Sequence, residues 1–61
     1  MKEIELGFTR YDEINDMYVT PESRHTTNTY MCTVKEYNPF TEEYEEVDSQ
    51  LFTKYELLRM I

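Results

Sequence analysis

The sequence predicts an α+β fold in a single domain covering residues 1–61: an antiparallel sheet of three or four strands, with one C-terminal helix packed on one face. Two observations support this prediction. Several segments have the alternating hydrophobicity, or the β-branched and aromatic content, of strands. From Leu51 onward the apolar residues are instead spaced by three and four, as in an amphipathic helix.

The N-terminal half predicts two strands and a long loop. Apolar residues alternate with polar ones or glycine at positions 4–8, which is the period of a strand with one buried face. Residues 11–16 are rich in turn formers and precede the strand-like run 17–19, so we expect a hairpin, with a helical turn at Ile14 as the alternative. Residues 22–29 are polar without periodicity, which predicts the loop.

A second hairpin is predicted after this loop. Residues 30–37 contain β-branched and aromatic residues without Gly or Pro, and Asn38-Pro39 then favours a turn because Pro supplies the required φ. With residues 39–42 as the loop, the expected cross-strand pairs are Tyr37 with Tyr44, Lys35 with Glu46 and Val34 with Val47. A slip of a few residues would also form apolar pairs.

The predicted helix runs from about Ser49 to Arg59. Asp48 or Ser49 can cap it by accepting a bond from a free backbone N–H group. The residues expected to face the sheet are Leu51, Phe52, Tyr55 and Leu58, in contact with Ile4, Leu6, Phe8, Val34 and Cys32 or their neighbours. Leu57 widens this apolar stripe beyond what one small sheet covers.

Oligomerisation is expected because a chain of 61 residues buries only about 60% of the surface that its unfolded form exposes. A single cysteine excludes an internal disulfide, and one cysteine with one histidine provides no zinc quartet. We therefore expect a homodimer or higher oligomer, with Leu57, Met60 and Ile61 at the shared surface. A compact monomer is the alternative.

The sequence also predicts a soluble, cytoplasmic protein. No stretch approaches the ~20 apolar residues of a membrane span, and no apolar signal-peptide region follows Met1-Lys2-Glu3. The lone cysteine is typical of a reducing compartment.

The first candidate functional surface is an acidic run around Tyr44, which comprises Glu42, Glu43, Glu45, Glu46 and Asp48. Adjacent glutamates on a strand point to opposite faces, so they cannot all bind one metal, and the run lacks the EF-hand pattern. It predicts either a solvated edge strand or a negative surface that docks onto a basic, nucleic-acid-binding site of a partner protein.

The second candidate surface lies between Ser23 and Lys35, where no acidic residue occurs. Its anion-binding candidates are Arg24, His25, Thr27, Asn28 and Lys35. Arginine can bind two phosphate oxygens at once, and threonine and asparagine can donate as well. This stretch predicts either an ordinary solvated loop or an oligomeric protein that binds a small nucleotide-like anion.

The sequence does not predict an enzyme, a cofactor or direct nucleic-acid binding. Ser23 and His25 are close in sequence, but no third group that would orient them is evident. A domain of this size has little interior in which to shift the pKa values of an acid and a base apart. The net charge of −7 opposes binding to a phosphate backbone.

In size, acidity, tyrosine content and order of elements, the chain resembles small acidic bacteriophage proteins: anti-CRISPR proteins, anti-restriction DNA mimics and uracil-DNA glycosylase inhibitors. No residue motif carries this resemblance, so it assigns no functional residues. It implies an inhibitor that occupies a surface of a host or defence protein in the host cytoplasm. If neither charged surface is used, the next candidates are Tyr11, Met17, Tyr18 and Tyr37.

Overall fold

The structure, a computed structural model, describes residues 3–61 as a four-stranded antiparallel sheet followed by one short helix. The elements are β1 (Arg10–Asp12), β2 (Met17–Arg24), β3 (Thr29–Asn38), β4 (Glu43–Thr53) and α1 (Lys54–Arg59). The spatial order of the strands is β1-β2-β3-β4, so each strand pairs with its neighbour in sequence. The predicted sheet with a C-terminal helix is confirmed, although the helix is small. Met1 and Lys2, on which the prediction about a signal peptide partly rests, lie outside the described residues.

The β3–β4 hairpin has the predicted loop and register. Residues 39–42 form the turn, and Asn38 stabilises it: its side-chain oxygen accepts from the Phe40 N–H at 2.9 Å, and its carbonyl accepts from the Glu42 N–H at 2.7 Å. The predicted pairs are confirmed: Tyr37 with Tyr44, Lys35 with Glu46 and Val34 with Val47. Local turn chemistry therefore sets this pairing.

The predicted helix start at Ser49 is wrong, because β4 continues to Thr53. Between the pairs formed by Cys32 and Val34 the register shifts, and this irregularity takes up Asp48 and Ser49 within the strand. Thr53 caps the helix instead. Its hydroxyl accepts from the Glu56 N–H at 3.1 Å, and the Glu56 carboxylate accepts from the Thr53 N–H at 2.8 Å, which completes a capping box.

One face of the sheet forms the core with α1 and the N-terminal segment. Its buried apolar residues are Ile4, Met17, Val19, Tyr30, Cys32, Val34, Phe52 and Leu57. Burial alternates along β2 and β3, so the opposite face of these strands is more open to solvent.

The predicted buried face of the helix is wrong, because Leu57 and not Leu58 faces the core. Leu57 is fully buried, whereas Leu58 is 39% exposed, and Leu51 and Tyr55 are exposed as well. Leu57 therefore belongs to the core and is not available for the shared surface proposed from the sequence. Met60 packs partly buried against the core, and Ile61 remains exposed.

The predicted first strand at positions 4–8 is also wrong, because Gly7 adopts a positive φ of 81° in a turn that interrupts the alternation. Only Ile4 is buried there, and Leu6 and Phe8 are exposed. The segment nevertheless runs beside β2, because the Gly7 N–H donates to the Pro21 carbonyl at 2.7 Å.

The loop predicted at residues 22–29 is shorter than expected, because β2 extends to Arg24 and leaves only residues 25–28. A first hairpin is present, but its first strand is β1 and not the predicted segment 4–8, so Tyr11 and Asp12 belong to a strand and the turn is confined to residues 13–16. The Asp12 carboxylate accepts from the N–H groups of Ile14 and Asn15 and holds this turn.

The C-terminus closes the β1 edge of the sheet. Tyr11 and Ile61 exchange two backbone hydrogen bonds, of 2.8 and 3.0 Å. The Arg10 guanidinium also donates to the Leu57 carbonyl at 3.2 Å, which satisfies an acceptor in the last turn of α1. β4 is the opposite edge strand, and residues 41–51 are exposed throughout.

Replacing Leu57 with alanine should lower the free energy of unfolding by ~2–5 kcal/mol, because it leaves a cavity in the core. Leu58→Ala is the matched control, and since Leu58 is partly solvated it should have an effect of less than about 1 kcal/mol. Denaturant unfolding of both variants measures the difference. A larger loss for Leu58→Ala would contradict the observed phase of the helix.

Candidate functional site

Four tyrosines form a cluster on the sheet face opposite the core. The register places Tyr11 beside Tyr18 and Tyr37 beside Tyr44. Ring centroids lie 5.0 Å apart for Tyr11 and Tyr18, 4.8 Å for Tyr18 and Tyr44, and 5.3 Å for Tyr37 and Tyr44. Edge-to-face and tilted contacts of this kind are favourable for aromatic rings. We call these four residues the tyrosine cluster, and it spans all four strands.

Asp16 connects two members of the cluster. Its Oδ1 atom accepts from the hydroxyls of Tyr11 and Tyr44, both at 2.7 Å. Asp16 occupies the turn between β1 and β2 with a φ of 53°, a conformation that aspartate tolerates better than most residues. The short side chain can therefore reach back over the sheet, where it joins the first hairpin to the second.

These hydrogen bonds change the acidity of all three groups. The bond from Tyr44, followed by that from Tyr11, holds the pKa of Asp16 below its ordinary value. The same bond to Asp16 raises the pKa of Tyr44 to about 12, and the pKa of Tyr11 is also raised, chiefly by its own bond to Asp16. At neutral pH the Asp16 carboxylate is therefore charged, and the phenols of Tyr11 and Tyr44 that donate to it are protonated.

The acidic run does not form one uniform patch. Side chains alternate along β4, so Tyr44 and Glu46 lie on the face of the tyrosine cluster, whereas Glu43 and Glu45 lie on the other face. Glu45 is engaged in the hairpin: it accepts from the Asn38 side-chain amide at 2.8 Å and from the Thr41 hydroxyl at 3.2 Å.

Two members of the run have special backbone positions. Glu42 adopts a positive φ of 59° in the loop, and Asp48 lies at the register shift in β4. The exposed carboxylates for which the described residues provide no hydrogen-bond partner are Glu42, Glu43, Glu46 and Asp48. These four can meet a partner, and among them Glu46 lies opposite Lys35 in the register.

The anion-binding candidates are not brought together. Arg24 donates to Glu3 at 3.0 Å and to the Tyr30 hydroxyl at 3.3 Å, so its guanidinium is already engaged. These contacts also raise the pKa of Arg24, with the bond to Tyr30 as the largest cause. His25, Thr27 and Asn28 are exposed in one short loop. Lys35 lies six residues beyond the start of β3, roughly 20 Å away at the rise of an extended strand.

Met17, a further candidate for the binding surface, and the single cysteine, Cys32, are both buried. Met17 belongs to the core and cannot contact a partner. Cys32 is also buried, and desolvation raises its pKa to about 11, so the thiol stays protonated at neutral pH. Within residues 3–61, no three His, Cys, Asp or Glu side chains converge as metal ligands.

Asp16 is the residue that sequence reasoning missed. The role of Asp16 depends on a contact with Tyr44, 28 positions away, and no local feature of the sequence predicts that contact. Alternation along the strands would place the four tyrosines on one face once the register of both hairpins is known.

Comparison of the chain with protein-family models, curated proteins and solved structures gave no match. In the described part of the chain, no helix has the length and apolar character needed to cross a membrane.

We expect tyrosine ionisation to reveal the cluster. Because the folded pKa of Tyr44 is raised from 10.0 to about 12, its stabilising contribution is complete below pH 10 and is lost as the pH rises through about 12. Asp16→Asn keeps a side chain that tolerates positive φ but removes the charge, so Tyr44 should ionise closer to its ordinary pKa. Absorbance titration of tyrosinate measures the shift.

Glu13→Gln is the control for this titration, because it removes a carboxylate that lies in the same turn but accepts no hydrogen bond from a tyrosine hydroxyl in the described chain. It should leave the late-ionising tyrosine in place. Identical titration curves for the native protein and Asp16→Asn would rule out the Asp16 contact.

Proposed function

We propose that this chain is a non-enzymatic binding protein that occupies a basic, nucleic-acid-binding surface of a host or defence protein. The binding surface is the tyrosine cluster together with the free carboxylates of β4 and its loop. The observation that carries the proposal is the position of Tyr44, which belongs both to the acidic run and to the aromatic cluster.

The tyrosine cluster has the properties of a preformed anchor. Tyr18, Tyr37 and Tyr44 expose 39%, 43% and 37% of their surface although their rings pack against one another. Tyrosine is enriched among the residues that contribute most to protein interfaces. Because neighbouring rings and the Asp16 bond already restrict these side chains, binding loses less conformational entropy than it would with mobile side chains.

The carboxylates supply the preference for a basic partner. Glu46 lies on the same face as the cluster, and Glu43 and Asp48 lie along the same exposed strand. With a net charge of −7, the chain attracts a positive surface over a Debye length of about 8 Å at physiological salt. Such complementarity accelerates encounter and disfavours acidic competitors.

The alternative function, an oligomeric binder of a nucleotide-like anion, has less support. Its strongest candidate ligand, Arg24, is engaged by Glu3 and Tyr30, and Lys35 lies on a different part of the sheet. The expectation of a homodimer or higher oligomer stays a prediction, with Met60 and Ile61 as the remaining candidates from the helix end.

A charge-reversal experiment tests the proposed function. The immobilised chain is used to retain proteins from a bacterial lysate, and any retained protein is purified and tested for competition between the chain and duplex DNA. The variant Glu43→Lys/Glu46→Lys should lose the interaction, because like charges facing a basic site are strongly unfavourable. Glu45 is left unchanged because it holds the hairpin loop.

The control variant, Glu5→Lys/Glu13→Lys, changes the net charge by the same amount at exposed positions outside the acidic run. It should retain the partner and its competition with DNA. Equal loss in both variants would show that only total charge matters, and no loss in either would contradict the assignment of this surface. Circular dichroism checks that both variants stay folded.

A further inference from the structure

The sheet has two edges, and residues 3–61 close only one of them. At the β1 edge, the two backbone bonds between Tyr11 and Ile61 pair the strand with the C-terminus. At the β4 edge, no segment within residues 3–61 pairs with the outer side of the strand. Residues 43–51 of this edge are all exposed.

An open antiparallel edge is a template for another strand. Alternate residues of β4 direct their N–H and C=O groups away from β3, because antiparallel pairing uses both groups of every second residue on one side. Residues 43–51 give an edge of roughly 30 Å at about 3.4 Å per residue. This length suits the addition of an extended segment through main-chain hydrogen bonds.

The side chains of β4 determine which segment fits. Both faces of the edge carry a free carboxylate and a partly exposed apolar or aromatic residue: Glu46 and Tyr44 on the face of the tyrosine cluster, and Glu43 and Val47 on the other. A strand added here would place its own side chains beside these groups, on both faces. Basic side chains on both faces would therefore be favoured.

A second copy of this chain is a poorer occupant of the same edge. Antiparallel pairing of residues 43–48 with the same residues of another copy would bring carboxylates opposite or diagonal to carboxylates, which is destabilising.

We propose that β4 accepts an extended, basic segment of the partner protein as a fifth strand of the sheet. The inference rests on the proposed function, and it defines the recognised part of the partner as a strand-forming segment rather than a folded basic groove. Tyr44 and the rest of the tyrosine cluster then contact the side chains that point to the open face.

Synthetic peptides test this mode of binding on the intact chain. The probe is a labelled peptide of about ten residues built from Lys, Val and Thr, with lysines in adjacent pairs so that both faces of the strand are basic. Two further forms carry N-methyl groups on every second backbone nitrogen, one on the odd-numbered residues of the peptide and the other on the even-numbered residues. Only one of these two phases places the methyl groups on the edge that faces β4. All three forms have the same charge, and fluorescence anisotropy measures their affinity.

Strand addition predicts that the unmethylated peptide binds and that the two methylated forms differ. Methyl groups in the phase that faces β4 remove several hydrogen bonds and should weaken binding by at least about tenfold, whereas the other phase should stay within about threefold. The Glu43→Lys/Glu46→Lys variant should also bind the unmethylated peptide less well than the Glu5→Lys/Glu13→Lys control.

Different results would contradict strand addition and the proposed function. Equal binding by both methylated forms, or no binding of the peptide, overturns strand addition and leaves the proposed acidic docking surface to its own test. Phase-dependent binding that both charge variants retain equally overturns the basic partner and the proposed function with it. A particle of twice 7.5 kDa in sedimentation, dissociated by the peptide, would make a second copy the occupant of the edge and overturn the inference.

Discussion

The pairing of β3 with β4 determines what lies on each face of the sheet. β3 supplies Tyr30, Cys32 and Val34 to the core, and the same pairing brings Tyr37 beside Tyr44 on the opposite face. A slip of one residue would move every side chain of one strand to the other face. The turn at Asn38 therefore fixes the core and the candidate binding surface together.

The core occupies only one end of this hairpin. The molecule extends over 40 × 19 × 15 Å, and α1 packs near the C-terminal end of β4, so residues 41–51 stay exposed, without a covering layer from the described part of the chain. At that end the tyrosine cluster and Asp16 provide the packing between strands. The same side chains thus stabilise the projecting hairpin and present a binding surface. This double role explains why aromatic residues remain half exposed there.

Local signals were sufficient where one short-range interaction dominated. The Asn38-Pro39 turn predicted both the loop and the register of the second hairpin. The helix start was mistaken because Asp48 and Ser49 are good caps in isolation, whereas the capping-box pattern of Thr53 and Glu56 lies one turn later. Leu57 and Leu58 are adjacent, and the packing of α1 against the sheet buries Leu57 and leaves Leu58 partly exposed.

Other features depend on contacts that are distant in sequence. The bond from Tyr44 to Asp16 requires both hairpins in register and a positive φ in the first turn. The N-terminal alternation failed because Gly7 turns the chain after Ile4 has entered the core. Closure of the β1 edge by Ile61 likewise depends on where a very short helix ends. None of these contacts has a local sequence signature.

Residue-resolved amide hydrogen exchange of the isolated protein can show whether β4 is paired on one side in the observed register and free on the other. Along residues 43–51, amides that bond to β3 should exchange slowly and those that point outward should exchange rapidly, in alternation except at the register shift. Slow exchange at every residue of this strand would contradict the account, because it would show that the outer edge is already covered.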